Sequence, residues 1–230
     1  MTKIRLILPL FSIAMLVFIA CDKDESSAPT FELNFETVTS EFPVKSGMPN
    51  SLAFTTGNIV LESIEFETSS DTDSLEMEFE IESYITIDFA TGETNPDLSP
   101  IEIKPGNYTE IEIEFELWDQ SDIPSIALNG TWTDADMQEH PVQFLFYSGQ
   151  DFELEIEGNF TITENTSMVA QITFDPGVWF AGVSNEALAS ATTDEDGVIV
   201  ISPDQNDDIY QIVEEMIDLV SEVEITMNNI

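Results

Sequence analysis

Apolar and polar residues alternate with a period of two along most of this chain. Phe31, Leu33 and Phe35 are separated by Glu32 and Asn34, the pattern of a strand buried on one face only. From Ser74 to Glu82 the alternation is complete: Leu75, Met77, Phe79 and Ile81 fall on one side, and Glu76, Glu78, Glu80 and Glu82 on the other. Ile85, Ile87 and Phe89 keep the same parity, so this strand either runs on with a bend near Tyr84 or divides there. Tyr108 to Trp118 repeats the arrangement, with Ile111, Ile113, Phe115 and Leu117 against Glu110, Glu112, Glu114 and Glu116. Phe152, Leu154 and Ile156 repeat it again against Glu153, Glu155 and Glu157.

Weaker strand patterns fill much of the remainder. Ile59 to Glu67 is predicted as a strand, as are Ser125 to Thr133 and Pro141 to Tyr147, which pair most economically as a hairpin around the acidic loop Asp134 to His140. Met168 to Phe174 closes the strand-rich part. Pro43, Gly47, Pro49 and Gly57 predict a long loop over residues 42–58, with a short strand at Leu52 to Thr55. The Pro105-Gly106 pair predicts a tight turn between Ile101-Glu102-Ile103 and the strand that follows.

Past Asp175 the period changes. Pro176 suits a first helical turn, and Trp179, Phe180, Val183, Ala187 and Leu188 recur near 3.6 residues, which predicts a short helix near 176–190. Val198 to Ile201 reads as a last short strand. Ile209, Ile212, Val213, Met216, Ile217 and Val220 then line one face of a helix capped by Asp207 or Asp208. Glu222 to Met227 is predicted as an edge strand. Strands carrying glutamate at every second position have one face in water, which excludes a doubly wound parallel sheet. The expectation is a mainly β fold: an antiparallel β-sandwich with the short helix and with the C-terminal amphipathic helix packed on a sheet.

The amino terminus carries a different pattern. Lys3 and Arg5 precede a largely apolar run of 15 residues, Leu6 to Ala20, and then Cys21, the only cysteine. As a helix that run rises roughly 22 Å, short of the roughly 30 Å hydrocarbon core of a bilayer. It reads as a secretory signal. Phe18-Ile19-Ala20-Cys21 resembles the lipobox of bacterial lipoproteins, although Phe18 stands where leucine is usual. The resemblance implies cleavage before Cys21 and acylation of it with palmitate-like chains, which supply the two or more acyl groups that stable anchoring needs. Asp22-Lys23-Asp24-Glu25 resembles the acidic signal that sends Bacteroidota lipoproteins to the outer face of the outer membrane. The expected organisation is a signal peptide over 1–20, a lipidated acidic tether over 21–30, and one domain over 31–230. That domain has no cysteine, so its core alone must hold it together.

Beyond residue 20 there are three lysines and no arginine against 46 carboxylates, a net charge of −43. Such a chain repels nucleic acid and anionic lipid, leaving cations, basic proteins and neutral polymers as partners and the lipid anchor as its contact with the membrane. Sixteen phenylalanines in the full chain, most of them beyond residue 20, separate it from disordered acidic proteins.

Three segments resemble a family of exported Bacteroidota lipoproteins without an assigned activity: Ile101-Glu-Ile-Lys-Pro-Gly-Asn-Tyr108, Phe174-Asp-Pro-Gly-Val-Trp-Phe180, and Gly197-Val-Ile-Val-Ile-Ser202 leading through Asn206 to Ile209-Tyr210. The resemblance implies a transthyretin-type or immunoglobulin-like sandwich exported to the cell surface. It assigns no catalytic residue.

Candidate chemistry is sparse. Pairing of the strands at 74–82, 110–116 and 153–157 would align their glutamates into a carboxylate wall. Asp194 and Asp196 before Gly197 resemble the centre of a calcium loop, with Asp204 as a nearby third acid, but Thr192 and Pro203 occupy the positions of two strong ligands. Asp134, Asp136, Glu139 and the single His140 form a second acidic loop. Trp118, Trp132, Trp179 and the tyrosines suit either the core or a sugar-stacking surface. No nucleophile motif and no phosphate-binding glycine loop is present. The leading expectation is a non-enzymatic surface module that binds or displays protein or glycan. A calcium-stabilised adhesion module and a hydrolase of extracellular polysaccharide using paired carboxylates are the alternatives.

Overall fold

A single strand of 19 residues, β3 (Ser51–Ser69), joins the two halves of the molecule. One edge of β3 pairs with β4 (Met77–Asp88), from Asn58↔Asp88 to Thr68↔Met77, after a short contact with β2 (Phe42–Pro43). The other edge changes partner. Ser51 to Ile59 pair with β8 (Ile126–Thr133), and Leu61 to Ser69 pair with β7 (Gly106–Leu117), all antiparallel. Val60 splices the two: its N–H donates to Ser125 O at 2.7 Å, and its carbonyl accepts from Trp118 N–H at 3.0 Å. The computed structural model describes residues 27–44, 51–71, 75–119, 123–147, 149, 151–217 and 222–229.

Around the second half of β3 the molecule is a sandwich. One layer runs β4, β3, β7, β10 (Asp151–Ile162). The facing layer runs β13 (Glu222–Asn229), β11 (Thr166–Phe174), β1 (Thr30–Thr37), β6 (Ile101–Glu102). Phe31 meets Phe66 at a ring-centroid distance of 4.5 Å, and Phe174 meets Phe115 edge-on at 6.2 Å, which ties the layers together. Each such ring buried on folding contributes on the order of 2 kcal/mol. The Pro105 corner carries the chain from β6 in one layer to β7 in the other, and the buried Tyr108 donates its hydroxyl to Lys104 O at 2.6 Å. That is the tyrosine-corner geometry of sandwich folds.

Around the first half of β3 the cover is helical. The sheet continues through β8 and β9 (Glu139–Phe146) to β12 (Ile199–Ile201). Across it lie α1 (Pro176–Trp179), α2 (Asn185–Ser190) and α3 (Asp207–Ile217). Phe180 packs on Phe54 at 5.0 Å and on Phe144 at 5.3 Å, and Tyr210 on Phe146 at 5.9 Å. Asp175 caps α1 by accepting from Gly177 N–H at 2.7 Å, and Ser184 caps α2 by accepting from Ala187 N–H at 3.1 Å. Among the described residues no helix is long and apolar enough to cross a membrane.

The mainly β sandwich with few helices is the expected fold, and α3 packs on a sheet as its apolar face requires. The details differ in several places; the single short helix expected near 176–190 is two, α1 and α2, parted at residues 180–184. Two pairs, β1 with β11 and β12 with β9, are parallel. Much of the loop expected over 42–58 is strand: β2 and the first part of β3. Asp207 and Asp208 lie in the first turn of α3 and not at its cap, while Asn206 before them bonds to Thr192 and to Val200 O. Described residues before Phe31 also bond to the domain. Ser27 N–H donates to Asn165 Oδ1 at 2.8 Å, Ser27 O accepts from Asn165 N–H, and β1 starts at Thr30.

Candidate functional site: an aromatic and carboxylate cleft

The register of β4, β3, β7 and β10 places acids directly opposite one another across four strands. Glu80, Glu65, Glu114 and Glu153 form one row, and Glu78, Glu67, Glu112 and Glu155 the next. The rows expected from three strands therefore line up in the register with a fourth strand among them, since β3 brings Glu65 and Glu67 between β4 and β7. Like charges so placed repel. Glu80 is held above the usual carboxyl range by desolvation first, then by the charges of Glu82 and Glu65, a hydrogen bond with Glu65, and the charge of Glu78.

The third row breaks the pattern. Glu82, Ser63, Glu116 and Asp151 stand opposite one another, so a serine lies where the neighbouring rows carry glutamate. Glu82 and Glu116 are thus two strand spacings apart, roughly 9.6 Å, across a small side chain. The serine stands there by sequence, two residues before Glu65 in unbroken register. Just beyond it the register shifts on both edges of β3: against β7 Glu62 is the extra residue, whereas against β4 the extra residue is on β4, where Ser83 and Tyr84 stand against Glu62 alone. Glu62 Oε2 accepts from Asp119 N–H at 3.3 Å.

Beyond this row two aromatic residues share the outer face. Tyr84 follows Glu78, Glu80 and Glu82 in parity on β4, and Trp118 follows Glu112, Glu114 and Glu116 after β7. Their rings meet edge to face, 5.0 Å apart at 83°. Tyr84 is 44% exposed, a high value for so large a ring. Together with Glu62, Ser63, Glu80, Glu82, Ser83 and Glu116 the pair lines a cleft of about 400 Å³, within the size range of small-ligand sites. Burial holds the Glu116 carboxyl above its usual range, reinforced by the charges of Asp151, Glu62, Asp119 and Glu114. Trp118 Nε1 is buried without a hydrogen-bond partner among the described residues, a donor that costs about 1–3 kcal/mol while unmet.

The other candidate residues have structural places. Trp132, Trp179, Tyr108 and Tyr210 are core residues, each at most 4% exposed, and Trp132 Nε1 donates to Asn185 Oδ1. Asp194 shapes its own turn: Oδ1 accepts from Asp196 N–H and Val198 N–H, both at 2.9 Å, and Gly197 adopts φ +82°. Asp204 belongs to a separate turn closed by Ser202 and Gln205. Asp194, Asp196 and Asp204 are not gathered into a ligand set, and among the described residues no three His, Cys, Asp or Glu side chains are placed to hold a metal ion.

Asp134 repeats the Asp194 turn at the tip of the β8–β9 hairpin. Its Oδ1 accepts from Asp136 N–H at 2.8 Å and Gln138 N–H at 2.9 Å, while Oδ2 lies 3.0 Å from His140 Nε2. These bonds, His140 first, hold its carboxyl below the usual range. His140 stacks on Trp132. Cys21 lies outside the described residues.

The sequence pattern located most of the acids of the cleft and both of its aromatic residues without bringing them together. The parity of Tyr84 and Trp118 with the outward glutamates was the available signal. Compared with known proteins, the chain matches no family model, no curated protein and no solved structure.

Proposed function

We propose that this protein is a lipid-anchored, surface-exposed lipoprotein of the outer membrane whose β domain is a non-enzymatic binding module for protein or glycan. The address rests on the sequence of Lys3 to Glu25, with Cys21 as the acylated residue and the acidic tetrapeptide after it. The binding role rests on one observation, the cleft between Tyr84, Trp118 and Glu116 on the outer face of the sandwich. Exposed aromatic rings beside polar groups are the usual contact elements of recognition surfaces, since they offer large area at low entropic cost.

Two measurements test the two halves. Replacing Cys21 by Ala moves the protein from the membrane fraction to the soluble one; unchanged fractionation overturns the anchor. A screen of glycans and peptides against the purified chain returns ligands that the Trp118→Ala variant no longer holds. Ligands bound equally by both proteins place the contact elsewhere and overturn the role of the cleft.

A further inference from the structure

We infer that the cleft at the β3 bulge recognises a protonated alkylamine, such as the side chain of a lysine or a free polyamine. The inference deepens the proposed binding role and rests on it.

Three features of the cleft select this chemistry. Glu62, Glu80, Glu82 and Glu116 surround it, and among the described residues no basic one lines it, so any cation entering relieves repulsion that the fold has built in. A bare metal ion is poorly served. Calcium needs six to eight oxygens within about 2.6 Å, whereas Glu82 and Glu116 face each other across Ser63 and, among the described residues, no three acids are gathered for a metal. An organic cation with an extended stem spans that gap.

The aromatic pair supplies the rest. Trp118 and Tyr84 meet edge to face at 5.0 Å, and indole and phenol faces attract ammonium groups while covering alkyl carbon, an attraction of about 0.5–2 kcal/mol per ring. A strongly hydrated inorganic ion gains little from such rings. Neutral sugars would use the rings and hydrogen-bond to carboxylates, but they would leave the repulsion among the four charges in place. The bulge that displaces Glu62 is also a device that recurs beside binding sites, because it re-aims a side chain.

The test is calorimetric titration of the purified chain, near neutral pH and 0.15 M salt, with four probes: a short lysine peptide, the same peptide with its lysine Nε-acetylated, spermidine, and a neutral oligosaccharide. The expected result is saturable one-to-one binding of the lysine peptide or spermidine, with no binding of the acetylated peptide. Which amine binds more tightly distinguishes a protein partner from a free polyamine. Tyr84→Ala and Trp118→Ala each weaken binding about tenfold, and Glu116→Gln weakens it several-fold. Because Trp118 is partly buried and its variant can lose stability, Tyr84→Ala at an exposed position carries the decision.

Glu195→Gln removes one charge at a distant exposed turn and leaves binding unchanged. If Glu195→Gln weakens binding as much as Glu116→Gln, or Tyr84→Ala has no effect, the amine is merely condensing on a polyanion and the inference falls. Equal binding of the acetylated peptide, or of the oligosaccharide alone in a Trp118-dependent manner, overturns the amine specificity while the binding module stands. Failure of every probe, together with failure of the wider glycan and peptide screen, overturns both.

Discussion

Replacing Glu67 by Gln stabilises the domain although it removes a charged surface residue. Glu67 faces Glu78 on one side and Glu112 on the other, each directly opposite in the register. At the roughly 5.5 Å separation of directly opposed side chains, a pair of unit charges in water repels by about 0.75 kcal/mol, hence about 1.5 kcal/mol for the two neighbours. Screening reduces this to about 1.3 kcal/mol at 10 mM salt, where the Debye length is about 30 Å, and to about 0.8 kcal/mol at 0.15 M, where it is about 8 Å. Glutamine keeps the size and strand position of the side chain, so packing is unchanged. Urea denaturation is the assay, because guanidinium is itself a salt. The parent gains stability with added sodium chloride, and Glu67→Gln starts higher and gains less. Glu67→Lys, which turns both repulsions into attractions, changes stability in the same direction by up to about twice as much. A Glu67→Gln variant that is less stable than the parent at 10 mM salt, or one whose salt dependence is unaltered, refutes the view that these rows store repulsion.

The remaining predictions concern pH, the corner and the turns. Glu80 and Glu116 have carboxyls raised above the unfolded value of 4.5, so the folded chain binds protons before the unfolded one, and stability rises as pH falls from 7 through their raised range towards 4.5. The Asp134 carboxyl is lowered below 3.8, so its contribution is present above that pH and is lost on further acidification; thermal melts across pH 3 to 7 therefore pass through a maximum in the acid range. Tyr108→Phe removes the 2.6 Å bond to Lys104 O and costs about 1–2 kcal/mol, read as a lower urea midpoint at unchanged slope. Met137, at φ 62°, and Gly197, at φ 82°, hold the same position in equivalent turns. Met137→Gly stabilises and Gly197→Ala destabilises, each by about 1 kcal/mol, and since nothing lies within 4 Å of a Cβ built at Gly197, the second value reports backbone conformation alone.

Where alternation was strict, the elements were legible. β4, β7, β10 and α3 follow directly from their apolar spacing, because a one-residue slip would bury every glutamate of a strand. The first part of β3 was legible only as the short strand at Leu52 to Thr55. Pro43, Gly47, Pro49 and Gly57 signal a loop, yet Gly57 sits inside β3 at φ 151°, where a Cβ would lie 2.1 Å from Ala127 O. The glycine there serves a close approach of two strands, a tertiary cause that local pattern does not carry. The parallel pairing of β1 with β11 was hidden for a related reason: Phe31 and Met168 are partners separated by most of the domain, and periodicity says which face is buried but not against which strand.

The cleft lies in the second half of β3, which the pattern did predict as strand. β3 serves β8 and then β7 along one edge, and the exchange at Val60 is followed at once by the register shift that makes Glu62 the extra residue against β7. Ser63, in regular register with Glu65 and Glu67, puts a small side chain in the third row, and the space between Glu82 and Glu116 opens. Tyr84 and Trp118 then close one end, because they occupy the next outward positions of the strands flanking the bulge. Glu62 marks where the strand changes hands, beside the row in which Ser63 breaks the acidic series. Deleting Glu62 would restore the register against β7 and lengthen the mismatch against β4, disturbing the splice, whereas Tyr84→Ala would remove one wall of the cleft and leave the splice intact. The two variants separate what the fold requires from what a ligand would use.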